Sequence, residues 1–232
     1  MSFEVLYRDE QLCAIDKPCG LMVHRSSRST DDRFIMGMLR DQLGQRVWPV
    51  HRLDRATSGV LLFALDPDSA GALGEQMMAR SVAKRYLAVV RGHIEEAGRI
   101  DHPLKAEGKG PEQEAVTEYR RLATMELAIP IGRYPTARYS LVEARPETGR
   151  MHQLRRHFKH RFHPIIGDTT YGEGRHNRLF RIEFASHRML LHASQLSFEH
   201  PADGRAMQID CPPTGVFADL IERFEPDRNP EP

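Results

Sequence analysis

Apolar and polar positions change their period several times along the chain, and each change marks an element. Residues 3–24, FEVLYRDEQLCAIDKPCGLMVH, read as two short strands around a turn, with Asp9-Glu10 and Lys17-Pro18-Cys19-Gly20 as the breaks. The stretch 30–44, TDDRFIMGMLRDQLG, has helical spacing. Thr30 or Asp31 caps it, Phe34, Met38 and Leu39 face inward, and Gly44 ends it. Val60 to Leu65 is unbroken and apolar, the pattern of a strand covered on both faces. Asp66-Pro67 then opens a second helix that runs to about Arg80. Residues 84–91, 115–123, 137–144, 188–198 and 206–211 are further strand candidates, rich in Val, Tyr and Leu. Residues 105–114 read as a loop and 175–185 as a second loop or a short helix. Strands outnumber helices and often follow one another directly, which predicts an α+β fold. Its single domain, residues 1–224, is expected to form around a mixed, mainly antiparallel sheet flanked by helices and loops. The acidic, proline-rich tail 225–232 is expected to be disordered.

Composition narrows the classes. At 232 residues the chain can bury a substantial core, and 40% apolar with 28% charged residues is the balance of a soluble globular protein. The longest apolar run is too short to span a bilayer. The opening MSFEVLYRDEQL lacks the layout of a secretory signal, so a cytoplasmic location is expected. Three cysteines without a C-x-x-C pair indicate neither a disulfide framework nor a zinc ribbon. With no oligomerisation signal, a monomer is the expectation. A net charge of +1 announces no polyanionic partner, but residues 150–163, RMHQLRRHFKHRFH, hold five Arg or Lys and four His with no acid.

Laid out as a helix at about 100° per residue, that basic stripe puts Leu154, Phe158 and Phe162 within roughly 60° of Met151, which defines an inward face. Arg155 falls on the same face, while Arg156, Lys159, Arg161 and the histidines spread around the sides and the outer surface. An arginine pointed into a core keeps its charge and needs an anionic partner, unless it snorkels to solvent or pairs with any nearby acid. One candidate partner is Asp54, set between Arg52 and Arg55 just before the apolar run. A salt bridge or a turn cap would explain Asp54 equally well.

Several chemistries drop out. The histidines of the stripe have no H-E-x-x-H spacing, and neither H-x-E nor P-C-x-x-C occurs, so no metal is implied. Without a G-x-x-x-x-G-K-[ST] loop, a G-x-G-x-x-G turn or a G-x-S-x-G elbow, no nucleotide cofactor and no serine nucleophile is indicated. What remains is a carboxylate among arginines, aromatic residues such as Tyr86, and a basic stripe. Together these suit an anionic polymer whose bases can stack.

HRLDRATSG at 51–59 resembles the H-R-L-D-x-x-T-S-G signature of the RluA-type pseudouridine synthases. YRDEQLCAIDKPCGLMVH, KRYLAVVRG, TGRMHQLRRH, HPIIGDTTYG and LHASQLSFEHP resemble that family's other motifs in the expected order, over about Phe3 to Cys211. Met151 stands where Lys or Thr is more usual, a change expected to leave the chemistry alone. The resemblance implies an RNA-modifying isomerase of pseudouridine synthase fold, with neither metal nor cofactor and with no N-terminal RNA-binding domain. It implies that Asp54 is the catalytic carboxylate and that Tyr86 stacks on the target uracil. Arg155 would pair with Asp54, and Arg52 would fill the space left by the extracted base; Arg55 receives no role. KGPEQEAVTEYRRLAT, GRYPTARYSLVE and GRMHQLRRH resemble most the subgroup that acts on uridine-65 in the acceptor-arm stem of tRNA. A ribosomal-RNA or dual-specificity enzyme is the alternative, and a non-catalytic RNA-binding or RNA-folding protein is the alternative of another class.

Overall fold

A computed structural model describes residues 2–24, 33–106 and 110–226. The elements in chain order are β1 (Val5–Arg8), β2 (Leu12–Lys17), α1 (Ile35–Leu43), β3 (Trp48–Pro49), β4 (Ser58–Ala64), α2 (Pro67–Met78), β5 (Ala83–Arg91), β6 (Ala97–Asp101) and β7 (Leu104–Lys105). They continue with β8 (Glu112–Gln113), β9 (Val116–Leu127), β10 (Ala137–Pro146), α3 (Gln153–His160), α4 (Gly174–Phe184), β11 (Leu191–Glu199), β12 (Ala206–Asp210), α5 (Val216–Ile221) and β13 (Glu225–Pro226). The expected α+β architecture is present, and the chain folds as two compact units.

The first unit comprises Met1–Lys84 and Ala193–Pro212. Its strands run β1-β2-β4-β11, with β3 also on β4 and β12 on β11. The ladders β1–β2, β2–β4, β3–β4 and β11–β12 are all antiparallel. All seven residues of β4 are buried, as the unbroken apolar run predicts for a strand covered on both faces. Gly59 explains how tightly β4 is packed: with φ +111°, a Cβ there would lie 2.2 Å from the Ala193 carbonyl oxygen. Helix α2 starts as the sequence predicts, with Pro67 in its first turn and the Asp66 carboxylate accepting from Ser69 N–H at 2.8 Å. Helix α1 ends at Gly44 as expected, but its inward residues are Ile35 and Leu39. Phe34 is the extended residue before the helix, which moves the inward stripe by one position; the predicted Thr30 or Asp31 cap lies outside the described residues.

The second unit comprises Arg85–His192 and Pro213–Pro232. Its strands run β5-β10-β9-β13, with β6 also on β9, and the β5–β10, β9–β10, β6–β9 and β9–β13 ladders are antiparallel. Tyr139, Phe180, Leu190, Phe217 and Leu220 form the centre of its core, where α4 and α5 cover the sheet. The segment 175–185, open between loop and helix in the sequence, is helix α4, and its buried face carries His176, Leu179 and Phe180. Part of the expected loop 105–114 is paired: Leu104 pairs with Gln113 and Lys105 with Glu112 in a short antiparallel ladder, while 107–109 lie outside the described residues. Two-residue strands in a charged segment have no apolar alternation to announce them. The tail also differs, because Glu225 and Pro226 pair with Thr124 and Ala123 directly after the buried Phe224, while 227–232 lie outside the described residues. A proline is tolerated at such an edge position, where its missing N–H breaks no ladder. Among the described residues no helix is long and apolar enough to cross a membrane.

Candidate active site

Asp54 sits in the connection between β3 and β4, at the first position of a tight turn closed by Thr57 N–H donating to the Asp54 carbonyl at 3.1 Å. The turn is held from beneath by Lys17, whose side chain is completely buried. Its ammonium donates to the carbonyls of Thr57 (2.7 Å), Pro18 (2.9 Å) and Arg55 (3.3 Å). Gly20 N–H adds a bond to the Arg55 carbonyl at 2.7 Å, Arg55 Nε returns one to the Gly20 carbonyl at 2.9 Å, and Cys19 Sγ donates to the Ala56 carbonyl. The K-P-C-G break read from the sequence is therefore the clamp of the aspartate turn. Arg55, which received no role, is one of its struts.

Upstream, His51 Nε2 accepts from Leu62 N–H at 3.1 Å, which fixes the ring as a neutral acceptor. Desolvation, aided by the nearby Lys84 ammonium, pushes its pKa down to about 3. Leu53 is buried and anchors the connection between the exposed Arg52 and the half-buried Asp54. Arg52 is exposed, with Nη1 3.3 Å from His24 Nε2.

Tyr86 and Arg155 belong to the second unit. Tyr86 is half-buried in β5, opposite Ala144 of β10. Arg155 is buried in α3, as its angular position predicted, together with Leu154 and Phe158. The other assignments along the stripe need correction. Met151 and Phe162 are exposed because α3 spans only Gln153–His160, so both fall beyond its ends, and Phe162 has φ +62°. His157, expected on the outside, is fully buried, with hydrogen bonds to Thr117 Oγ1 (2.9 Å) and the His102 carbonyl (3.1 Å). Desolvation lowers its pKa to about 4, against a weaker upward pull from the His102 carbonyl.

Gln153 sets the start of α3. Its amide accepts from Thr148 Oγ1 (2.7 Å) and Arg150 N–H (3.0 Å) and donates to the Val116 carbonyl (2.9 Å) and Thr117 Oγ1 (3.0 Å). All four of its hydrogen-bonding positions are used, which ties the T-G-R-x-H-Q turn to β9.

The carboxylate that Arg155 meets inside this unit is Asp168, a residue to which the sequence pattern assigned no role. Arg155 Nε lies 2.7 Å from Oδ2 and Nη2 lies 3.0 Å from Oδ1, a bidentate pair with side-chain exposures of 7% and 1%. Burial alone would raise the Asp168 pKa. The bonds from Arg155 and from Tyr171 and Thr170 N–H outweigh burial and hold the carboxyl below its ordinary range. Asn177 of α4 braces the same loop, donating to the Asp168 carbonyl and accepting from Gly167 N–H, both at 2.8 Å. Gly167 is forced by the packing: at φ +81°, a Cβ would lie 2.0 Å from the Arg188 carbonyl oxygen. The signal was present in GDTTYG, an aspartate followed by hydroxyl residues in a glycine-bounded turn. Tyr171 of that turn lies under the Arg155 guanidinium, 5.1 Å from ring centroid to carbon.

The chain matches the family model for RNA pseudouridylate synthases over residues 11–160, a span that holds Lys17, Arg52, Asp54, Tyr86 and Arg155 but stops short of Asp168. It is 50% identical over 233 residues to the tRNA pseudouridine synthase C of Haemophilus influenzae, covering 95% of this chain and 97% of the relative. It is 46% identical over 236 residues to the Vibrio parahaemolyticus protein of the same name, covering 97% and 96%. Among solved structures, Human RNA Pseudouridylate Synthase Domain Containing 1 superposes with a TM-score of 0.75 at 27% identity, over 97% of this chain and 89% of that one. A match of this extent, with the aspartate turn and the Arg155 helix inside it, shows that the chain belongs to the RNA pseudouridylate synthase family.

Proposed function

We propose that the protein isomerises uridine-65 in the acceptor-arm stem of tRNA to pseudouridine, with Asp54 as the catalytic carboxylate. The observation that carries the choice of target is near full-length identity of 46–50% to proteins named tRNA pseudouridine synthase C. Residues 1–224 make up the catalytic region, the enzyme works as a cytoplasmic monomer, and it takes neither metal nor cofactor. The reaction breaks the N-glycosidic bond, turns the uracil and rejoins it to the ribose through carbon, with no net redox change.

A paired uridine must first leave its helix, at a cost of a few kcal/mol. Stacking on Tyr86, worth about 1–3 kcal/mol, and insertion of Arg52 into the vacated space offset that cost. Asp54 must then be ionised, as nucleophile, as stabiliser of a cationic sugar, or as the base that removes a ribose proton. Arg155 is assigned as the charge partner of Asp54 that fixes the direction of its carboxylate. The clamp by Lys17 supports the role of Asp54, because a catalytic group needs a fixed backbone under it.

The test has two arms. Pseudouridine mapping of tRNA and ribosomal RNA from cells with and without the gene should show loss of one site in the tRNA acceptor arm. Loss confined to ribosomal RNA would overturn the target. Purified Asp54→Asn should fold and bind tRNA but form no product, and pseudouridine made by that variant would refute the catalytic assignment.

A further inference from the structure

Helix α4 carries a feature that the reaction does not use. Arg175, Arg178 and Arg181 recur every third residue on its exposed face, opposite the buried Leu179 and Phe180. Each step of three residues advances about 4.5 Å along the axis and turns back by about 60°, so the three guanidinium groups form one ridge. Five other arginines of this unit sit beside carboxylates: Arg91 with Glu173, Arg99 with Glu147, Arg138 with Glu126, Arg145 with Glu143 and Arg161 with Glu95. Among the described residues, none of the ion pairs includes Arg175, Arg178 or Arg181. Like charges one turn apart destabilise a helix, so the ridge stands against the helix's own stability.

The β9–β10 connection adjoins this ridge. Ile131 and Tyr134 bridge its tip, and Arg175 Nη1 comes within 3.0 Å of where a Gly132 Cβ would stand. Tyr134 is 56% exposed, unusual for so large a ring, and Arg133 covers one side of it, 5.1 Å from the centroid and hydrogen-bonded to its hydroxyl. In the β5–β10 register Tyr86 faces Ala144, whereas the tip lies beyond Ala137. Seven strand residues separate those two positions, roughly 23 Å at about 3.3 Å per residue. One flipped nucleotide does not reach from Tyr86 to Tyr134.

An arginine ridge beside a half-covered tyrosine suits phosphates flanked by a base or sugar face. We infer that the α4 ridge and the Tyr134 tip form a second RNA-binding surface, which holds substrate RNA beyond the reacting nucleotide. This rests on the reading of the protein as an RNA pseudouridine synthase and adds where the rest of the RNA lies. The ridge contributes affinity by neutralising phosphates, and the tip contributes a stacking interaction that salt does not screen.

The test uses the full chain and an unmodified tRNA transcript. Arg175→Ala, Arg178→Ala and Arg181→Ala combined should raise Kd and KM about 10- to 100-fold at low salt and leave kcat at saturating tRNA near wild type. The slope of log affinity against log salt should fall by about 2 to 3, close to one unit for each phosphate that an arginine of the ridge neutralises. Tyr134→Ala should weaken binding about 5-fold or more without changing that slope. A charge-matched control, Arg40→Ala, Arg46→Ala and Arg99→Ala combined, should move neither quantity. Wild-type Kd and slope in the ridge variant would overturn the inference and leave the ridge to a protein partner, as would an equal loss in the control or a fall in kcat with Kd unchanged. Should the wild-type protein make no pseudouridine in any tRNA, the assignment of tRNA as substrate fails, while Kd and salt slope still decide whether this surface binds RNA.

Discussion

Asp168→Asn tests the arrangement around Arg155 most directly. Wild-type Oδ1 accepts from Arg155 Nη2 and from the N–H groups of Thr170 (2.8 Å) and Tyr171 (3.0 Å), while Oδ2 accepts from Arg155 Nε. In the variant the two backbone N–H groups keep the amide oxygen at the Oδ1 position. The new NH2 group then faces Nε–H, donor against donor, and the negative charge is gone. Both side chains are almost completely buried, so water does not replace the missing acceptor. Removing one member of such a pair costs about 3–5 kcal/mol. For a chain of this size that corresponds to a fall in Tm of roughly 6–20 °C, read by circular dichroism. A double-mutant cycle with Arg155→Met isolates the pair: the double variant should be at least about 2 kcal/mol more stable than additivity predicts. At a temperature where Asp168→Asn is folded, kcat should fall, since Arg155 is then held along fewer edges. A drop in Tm below about 2 °C, or a strictly additive cycle, would refute the reasoning.

Three further outcomes follow from the same geometry. Lys17→Met keeps the volume but deprives three carbonyls of their buried donor, so stability should fall by about 2–4 kcal/mol in urea unfolding. Its kcat should fall more than its KM rises, because the Asp54 turn loses its clamp. Gly59→Ala meets both a positive φ and a carbonyl oxygen 2.2 Å away and should lose about 3 kcal/mol or more, or fail to accumulate as folded protein. The buried His157, with its pKa held down to about 4 from an ordinary 6.5, stays neutral in the fold while the unfolded chain takes up a proton. Stability from this group is complete above pH 6.5 and is lost as pH falls toward 4, by up to about 3 kcal/mol. His157→Gln should flatten the unfolding free energy across that window, and an unchanged pH profile would show that His157 is not the group titrating.

Features set by consecutive residues were legible in the sequence. The buried strand β4, the Asp66 cap of α2, and the order of strands and helices each follow from a run of neighbours whose period or cap chemistry is local. Features set by the length of an element were less so. Extrapolating one helical phase from Met151 to Phe162 placed both ends inside, whereas α3 is eight residues long and the chain leaves the helix before Phe162. The same extrapolation put His157 outside, although Thr117 and the His102 carbonyl, 40 and 55 residues away in sequence, supply the partners that let it be buried.

Arg155 shows how a correct local inference stops short. Its angle on the helix requires an anionic partner, and the sequence offers the aspartate of the most conspicuous motif. A guanidinium, however, is a planar fork with two usable edges, and an arginine assigned to hold a catalytic carboxylate in one orientation must itself be held. Asp168 does this, and its position depends on Asn177 ten residues after Gly167 and on the close approach of Gly167 to Arg188, neither of which has a signature in the spacing of charges. A buried cation in a sequence should therefore prompt a search for as many acceptors as it has donor edges, and loops bounded by glycine with an aspartate at their start are the first places to look.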